Sequence, residues 1–253
     1  MDLKPLLEIA KIAAVNAAVE ILKIYETGDF SVEAKSDDSP LTKADKASHL
    51  AIVAELEKTD IPILSEEGRD ISYEERKDWE YFWMIDPLDG TKEFIKKNGE
   101  FTVNIALIHK NEPVLGVVQV PVQEKLYYAC TGEQAILLSE GKETPLSTNN
   151  IQMDQKGLKV VASRSHLTPD TQAFMDELNE PEVVSMGSSL KLLAVAEGKA
   201  DLYPRFAPTM EWDTAAADMI VRAAGGKVLQ RDSDNMVQYN KENLLNPHFL
   251  VTP

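Results

Sequence analysis

The stretch Tyr81-Phe82-Trp83-Met84-Ile85-Asp86-Pro87-Leu88-Asp89-Gly90-Thr91-Lys92-Glu93-Phe94 drives five large apolar residues straight into two carboxylates, a proline, a glycine and a threonine. The apolar run predicts a buried strand over Tyr81–Ile85. Ordinary turn chemistry explains a glycine and one acid at its end, but not two acids three positions apart. Carboxylates at that spacing across a proline-fixed turn can converge on one hard cation. Oxygen ligands are what Mg²⁺ takes, in near-octahedral geometry with waters retained. The Leu88 carbonyl lies between the acids and offers a further oxygen. Gly90 lets a ligand approach the backbone closely. A short helix expected over Gly90–Lys97 would leave the amides of Gly90 and Thr91 pointing outward, toward a phosphate. The strand reads as a rigid arm that carries a metal- and phosphate-binding turn.

The whole chain sets the frame for that reading. Its 253 residues suffice for one large domain or two smaller ones. With 43% hydrophobic and 27% charged residues it has the composition of a soluble globular protein. The net charge of −16, from 26 basic and 42 acidic side chains, argues against nonspecific nucleic-acid binding, which needs a basic face. An anionic substrate would need local positive charge from a metal or a basic pocket. Cys130 is the only cysteine, so no intrachain disulfide forms; it reads as a small buried hydrophobe in a reducing compartment. Met1–Tyr25 shows apolar residues at helical spacing, interrupted by Glu8, Lys11, Glu20 and Lys23. It predicts an amphipathic helix on the core rather than a membrane span or a signal peptide.

The pattern along the chain is mixed. A second helix is expected over Lys43–Lys58 and a short strand over Ile61–Leu64, ending at Ser65-Glu66-Glu67-Gly68. Strands follow over Thr102–Ile108, Val114–Val120, Lys125–Ala129 and Ala135–Leu138. Gly141–Gln155 is polar and patternless, and the division into residues 1–148 and 149–253 is placed there. Beyond it, strands over Lys159–Ala162, Glu182–Met186, Ala200–Tyr203 and Lys227–Gln230 alternate with helices over Asp170–Leu178, Ser188–Glu197 and Asp213–Ala224. Such alternation favours layered sheets and helices.

Further acids stand at strand ends or helix starts: Asp45 after Thr42, Glu66-Glu67, and Asp213 after Trp212. Each alone has a structural explanation. Asp45 suits the first turn of a helix, Glu66-Glu67 a solvated turn, and Asp213 an N-cap. Two acidic motifs are excluded at Asp86–Thr91. Haloacid-dehalogenase phosphatases place one residue between their acids, where this chain has two. An EF-hand needs a twelve-residue loop of alternating ligands. His49, His109, His166 and His248 are scattered and suggest no nucleophile.

Asp86-Pro87-Leu88-Asp89-Gly90-Thr91, together with Trp212-Asp213-Thr214-Ala215-Ala216-Ala217 and Ala223-Ala224-Gly225-Gly226, resembles the two signatures of the inositol monophosphatase superfamily. Ser39-Pro40-Leu41-Thr42-Lys43-Ala44-Asp45 and Leu64-Ser65-Glu66-Glu67 precede them in the family's order, so the resemblance spans nearly the whole chain. Thr91-Lys92-Glu93-Phe94 and Gly187-Ser188-Ser189-Leu190-Lys191 resemble the CysQ-type branch of 3'(2'),5'-bisphosphate nucleotidases. Ala217 departs from the second signature, where glycine is usual; the change is the smallest available and is not expected to abolish activity.

The resemblance implies an α+β fold, a five-layer αβαβα sandwich. It implies a lithium-sensitive, Mg²⁺-dependent phosphatase of sulfur assimilation, with two or three ions. Its reaction would remove the 3'-phosphate of 3'-phosphoadenosine 5'-phosphate to give AMP. Glu66, Asp86 and the Leu88 carbonyl would hold one metal, and Asp86, Asp89 and Asp213 a second. Thr91 with Asp45 would orient the attacking water and take its proton. Asp89, Gly90, Thr91 and Asp213 would border the transferred phosphate. His166, Ser188, Lys191 and Arg205 would contact the nucleotide, with Lys191 and Arg205 attracting the 5'-phosphate. Glu67 and Lys35 stay open between a supporting role and an ordinary surface charge, as does Lys191 between a phosphate ligand and a helix-surface charge. The enzyme would be cytoplasmic, some relatives lying against the inner membrane face, and a monomer or homodimer. An inositol or sugar phosphatase of the same superfamily is the nearest alternative. A metal- or nucleotide-binding regulator is the non-enzymatic one.

Overall fold

The computed structural model describes residues 1–28, 33–34, 40–162 and 168–253. The first half runs α1 (Leu3–Thr27), a two-residue ladder of β1 (Glu33–Ala34) and β2 (Pro40–Leu41), α2 (Lys43–Leu56), β3 (Ile63–Ser65), α3 (Tyr73–Arg76), β4 (Tyr81–Asp89) and α4 (Thr91–Ile95). It continues with β5 (Thr102–His109), β6 (Glu112–Val120), β7 (Lys125–Cys130), β8 (Ile136–Ser139) and β9 (Lys142–Pro145). The second half runs β10 (Lys159–Ala162), α5 (Pro169–Asp176), β11 (Glu182–Ser185), α6 (Leu190–Ala196), β12 (Tyr203–Arg205), α7 (Ala215–Ala223), β13 (Lys227–Gln230) and β14 (Phe249–Thr252).

Strands β3 to β9 form one seven-stranded sheet in sequence order. β3 and β4 are parallel and every later pair is antiparallel. Helices α1 and α2 pack on each other and on one face of this sheet; α7 covers β5, β6 and β7 on the other. Below α6 and α7 lies the second sheet region, β12-β14-β13 with the parallel pair β10-β11 beside it, linked by a Val160–Leu202 bridge. Helix α5 closes the far side against β12. The layers are therefore α, β, α, β, α. Alanines explain the tight first layer: Ala10, Ala13, Ala14 and Ala17 are fully buried along one stripe of α1. On the opposite face, Gly116 of β6 meets α7 so closely that a Cβ there would stand 2.2 Å from the Ala216 carbonyl oxygen. Ala217 is buried in the same helix without disturbing it.

The differences from the sequence reading are instructive. Strand β4 does not stop at Ile85 but runs to Asp89, through both acids. Expected as part of a polar junction, Lys142–Pro145 is an edge strand, all four residues exposed. Its register comes from β8 rather than from any pattern of its own. α3 and β14 were not anticipated. The strand expected at Ala200–Tyr203 forms at Tyr203–Arg205, and α7 starts at Ala215 because a 3₁₀ turn occupies Glu211–Asp213. One hydrophobic core spans the proposed 148/149 division, joining Phe82, Met84 and Val118 to Leu193, Ile220 and Val251. Arg76 adds a buried polar link, donating to Asn240 Oδ1 at 2.7 Å and to the carbonyls of Lys241 and Glu242 at 2.8 and 3.0 Å. Cys130 is buried and free, as expected. Among the described residues no helix is long and apolar enough to cross a membrane.

Candidate active site

The decisive local feature is a β-bulge. Asp86 pairs with Asn104 and Asp89 with Thr102, so three steps on β4 oppose two on β5. In a regular strand residues three apart face opposite sides. One extra residue returns Asp89 to the side that Asp86 occupies. Asp86 is buried, its Oδ1 accepting the Leu88 amide at 3.0 Å, and Ser48 Oγ donates to the Pro87 carbonyl at 2.6 Å. Gly90 then takes φ 94°, a conformation a side chain strains, and α4 begins. That helix is only five residues long, shorter than expected.

Two further elements bring acids to this point. Glu66 follows β3, which lies parallel to β4, and Asp213 ends the 3₁₀ turn before α7. One carboxylate oxygen from each of Glu66, Asp86 and Asp213 lies within 4.8 Å of the others. Burial pushes the Asp86 carboxyl well above the usual carboxylate range, and Glu66, Asp89, Asp213 and Asp45 push it further. Burial, Asp89 and Glu66 do the same to Asp213, against the pull of the Met210 amide, which donates to its Oδ2 at 2.9 Å. An all-oxygen donor set held together against mutual repulsion fits a hard divalent cation. Asp213 is not the N-cap of α7; Thr214 holds that position.

Asp89 is not part of this three-residue group. Its Oδ2 accepts hydrogen bonds from Ser188 Oγ at 2.5 Å and Ser189 Oγ at 3.0 Å, with Thr102 Oγ1 at 3.5 Å. Ser189 Oγ also lies 2.8 Å from the Asp213 carbonyl, which shares the hydroxyl's single proton with Asp89, and it accepts from Asn104 Nδ2 at 3.0 Å. Sequence reasoning missed Ser189, Thr102 and Asn104 in this role. Their signal was available: Thr102 and Asn104 are the polar residues in the apolar run Phe101–Ile108 and share one face of the strand.

Thr91 Oγ1 donates to Asp45 Oδ1 at 3.2 Å and lies 3.3 Å from the Leu88 carbonyl. Asp45 is almost completely buried in the first turn of α2, where its Oδ2 accepts from Thr42 N at 2.7 Å and Thr42 Oγ1 at 2.6 Å. Thr42 caps the helix and fixes Asp45 in one arrangement.

Beside the acids a cavity of about 150 Å³ is lined by Asp89, Glu93, Ser188, Lys191, Arg205 and Asp213, among others. Lys191 is not a helix-surface charge: it is only 6% exposed. Its Nζ donates to the Ser188 carbonyl at 2.6 Å and reaches toward that of Met186 at 3.4 Å, and it sits over the Tyr203 ring. Burial lowers its pKa to about 8. Arg205 donates to the Pro208 carbonyl at 2.9 Å, while its buried Nε has no protein acceptor among the described residues. His166 and Lys35 lie outside the described residues. His49 hydrogen-bonds Ser65 Oγ at 2.9 Å; His109 stacks on Tyr81 and His248 on Phe206, so these three form no cluster.

The chain matches the inositol monophosphatase family over residues 2–250. It is 45% identical over 243 residues to a 3'(2'),5'-bisphosphate nucleotidase CysQ of Salmonella typhimurium, covering 94% of this chain and 96% of that one. The crystal structure of CysQ from Bacteroides thetaiotaomicron, a bacterial member of the same family, superposes with a TM-score of 0.89 at 46% identity, covering 98% of this chain and 97% of that chain. An IMPase of Thermotoga maritima shares the fold at 23% identity, with a TM-score of 0.78 over 98% of this chain and 92% of that one.

Proposed function

The chain belongs to the inositol monophosphatase family, and on that footing we propose that it is a 3'(2'),5'-bisphosphate nucleotidase that removes the 3'-phosphate of 3'-phosphoadenosine 5'-phosphate to give AMP. The observation that carries this reading is the pairing of a carboxylate cluster with a second, cationic subsite. Lys191 and Arg205 line the same cavity as Asp89 and Asp213. A monophosphate ester of inositol has no second phosphate for these cations. A nucleotide with phosphates on both sides of its ribose does.

Glu66, Asp86, the Leu88 carbonyl, Asp89 and Asp213 are the groups that would hold Mg²⁺, two or three ions in all. When bound, the metal supplies charge neutralisation at the phosphate and a water of lowered pKa. The chain's own residues do the rest. Thr91 Oγ1 already donates to Asp45, so its lone pairs are left to accept a hydrogen bond from water, and the proton that water gives up passes by way of the hydroxyl to the Asp45 carboxylate. Asp45 cannot rotate away, because Thr42 holds its other oxygen through two hydrogen bonds. The backbone at Gly90 and Thr91 borders the transferred phosphate. Lys191 and Arg205 fix the nucleotide from the opposite side, with His166 assigned to the same side, while Ser188 acts there through its carbonyl, which holds Lys191 Nζ. The orientation supplied by these contacts turns an encounter into a positioned reaction. We place the protein in the cytoplasm, as a monomer or homodimer, with no nucleic-acid partner.

The test is phosphate release from equal concentrations of adenosine 3',5'-bisphosphate and inositol 1-phosphate, with Mg²⁺, each with and without EDTA. Strong preference for the nucleotide, abolished by EDTA, is expected. Preference for the inositol ester would overturn the assignment of Lys191 and Arg205. Release that survives EDTA would overturn the metal assignment.

A further inference from the structure

Ser188 is where the two sides of the cavity touch. Its backbone is left-handed, with φ 51°, a region that disfavours a residue with a side chain. Two contacts keep it there. From its side chain, Oγ donates to Asp89 Oδ2 at 2.5 Å, with Thr102 Oγ1 2.8 Å away. From its backbone, the carbonyl accepts Lys191 Nζ at 2.6 Å. The hydroxyl is thus turned to the metal-binding carboxylate, not into the phosphate subsite.

The donor count matters here. An ammonium has three N–H groups. The two nearest acceptors of Lys191 are the carbonyls of Ser188 and Met186. A phosphate in the cavity can take the third N–H without displacing either. On the Asp89 side, Ser188 and Ser189 both engage Oδ2. Oδ1 is engaged by neither serine, and on the reading of Asp89 as a metal ligand it is the oxygen available to a cation.

We infer that Ser188 couples the phosphate subsite to the metal-binding carboxylate, so that the 5'-phosphate of the nucleotide and the divalent cation bind cooperatively. This rests on the reading of Lys191 and Arg205 as the 5'-phosphate subsite. A phosphate that pins Lys191 Nζ also pins the Ser188 carbonyl. The pinned backbone holds Oγ on Asp89, and Asp89 keeps one orientation for the cation. Without the phosphate, Ser188 can relax from its strained conformation and release the carboxylate. Thermodynamic reciprocity requires the cation to tighten phosphate binding by the same factor.

The experiment measures Mn²⁺ binding by electron paramagnetic resonance at controlled free Mn²⁺. It uses the whole protein alone, with adenosine and with adenosine 5'-phosphate, and follows nucleotide binding separately by calorimetry. Adenosine 5'-phosphate is expected to tighten Mn²⁺ about five-fold or more, and adenosine to leave it unchanged. Ser188→Gly is the informative variant: glycine takes the left-handed backbone freely and keeps the carbonyl for Lys191, so only the hydroxyl is lost. It should still bind adenosine 5'-phosphate while the tightening falls to about two-fold or less. Undiminished tightening in Ser188→Gly would show that the coupling is charge acting through space, and would overturn the relay. Nucleotide binding without tightening in the unmodified protein would overturn it too. Failure to bind adenosine 5'-phosphate at all would remove the subsite assignment itself, and the relay with it.

Discussion

At the scale of single residues the site is a set of charges placed where burial disfavours them. Lys191 shows the consequence most directly. Burial moves its pKa from 10.5 to about 8, and the attraction of Asp89 only partly offsets this. A lysine with a lowered folded pKa binds fewer protons folded than unfolded between these two values, so its stability contribution improves as pH rises through that window. Its function runs the other way, since phosphate binding needs the ammonium. We therefore expect kcat/KM for adenosine 3',5'-bisphosphate to fall as pH rises past about 8, following the free enzyme. A pH–rate series on Lys191→Arg should lose that limb, because arginine stays charged. An unchanged limb in the variant would assign it to another group. Ser189, Thr102 and Asn104 make the complementary point: the first two contact the Asp89 carboxylate, Asn104 holds Ser189, and none carries a charge that would mark it in a sequence.

At the scale of elements, the bulge in β4 and the close approach of α7 to β6 decide the geometry. Without the extra residue between Asp86 and Asp89 the two carboxylates would face opposite sides of the sheet. Asp213 depends on the other contact, because it sits just before α7 and that helix rests on Gly116. Gly116→Ala places a methyl group against the Ala216 carbonyl and within 3.0 Å of Met219 Cβ. Overpacking of this kind costs about 1–3 kcal/mol. Urea denaturation should report that loss, and the residual folded enzyme should show weakened metal binding as α7 lifts Asp213 away. Unaltered stability would mean that the helix yields without cost and that Gly116 does not set its distance.

At the scale of the whole molecule, a chain of net charge −16 gathers acids from several elements into one buried point. The shared core and the Arg76 hydrogen bonds are what hold those elements together against the repulsion. A cation that binds only the folded state should therefore raise the melting temperature, by an amount set by its concentration over its Kd. Asp89→Asn removes one of the charges that push Asp86 and Asp213 upward. In EDTA this variant should melt above the unmodified protein; with Mg²⁺ the order should reverse. Differential scanning calorimetry with and without Mg²⁺ checks both signs. A variant that melts lower in both conditions would mean that Asp89 serves the fold through its serine contacts more than the metal.

Local chemistry written in contiguous residues was legible in the sequence. Asp86–Thr91, the first-turn acid Asp45 and the alternation of the second half each state their role within a few positions. That is because propensity, capping and charge spacing act over short separations. The proposed metal ligands and the five layers followed from a resemblance carried by four such segments. Other features belong to the tertiary structure alone. The bulge exists because β5 pairs with β4 in one register. The burial of Lys191 exists because α6 is wrapped by β10, β12 and β14. The turn of Ser188 toward Asp89 joins residues 99 positions apart. The edge strand β9 and the short central strand β14 take their conformation from their neighbours' hydrogen bonds, so their own sequence carries little sign of it. Short-range preferences set which chemistry the chain can perform; long-range pairing sets where each oxygen and nitrogen stands when it does.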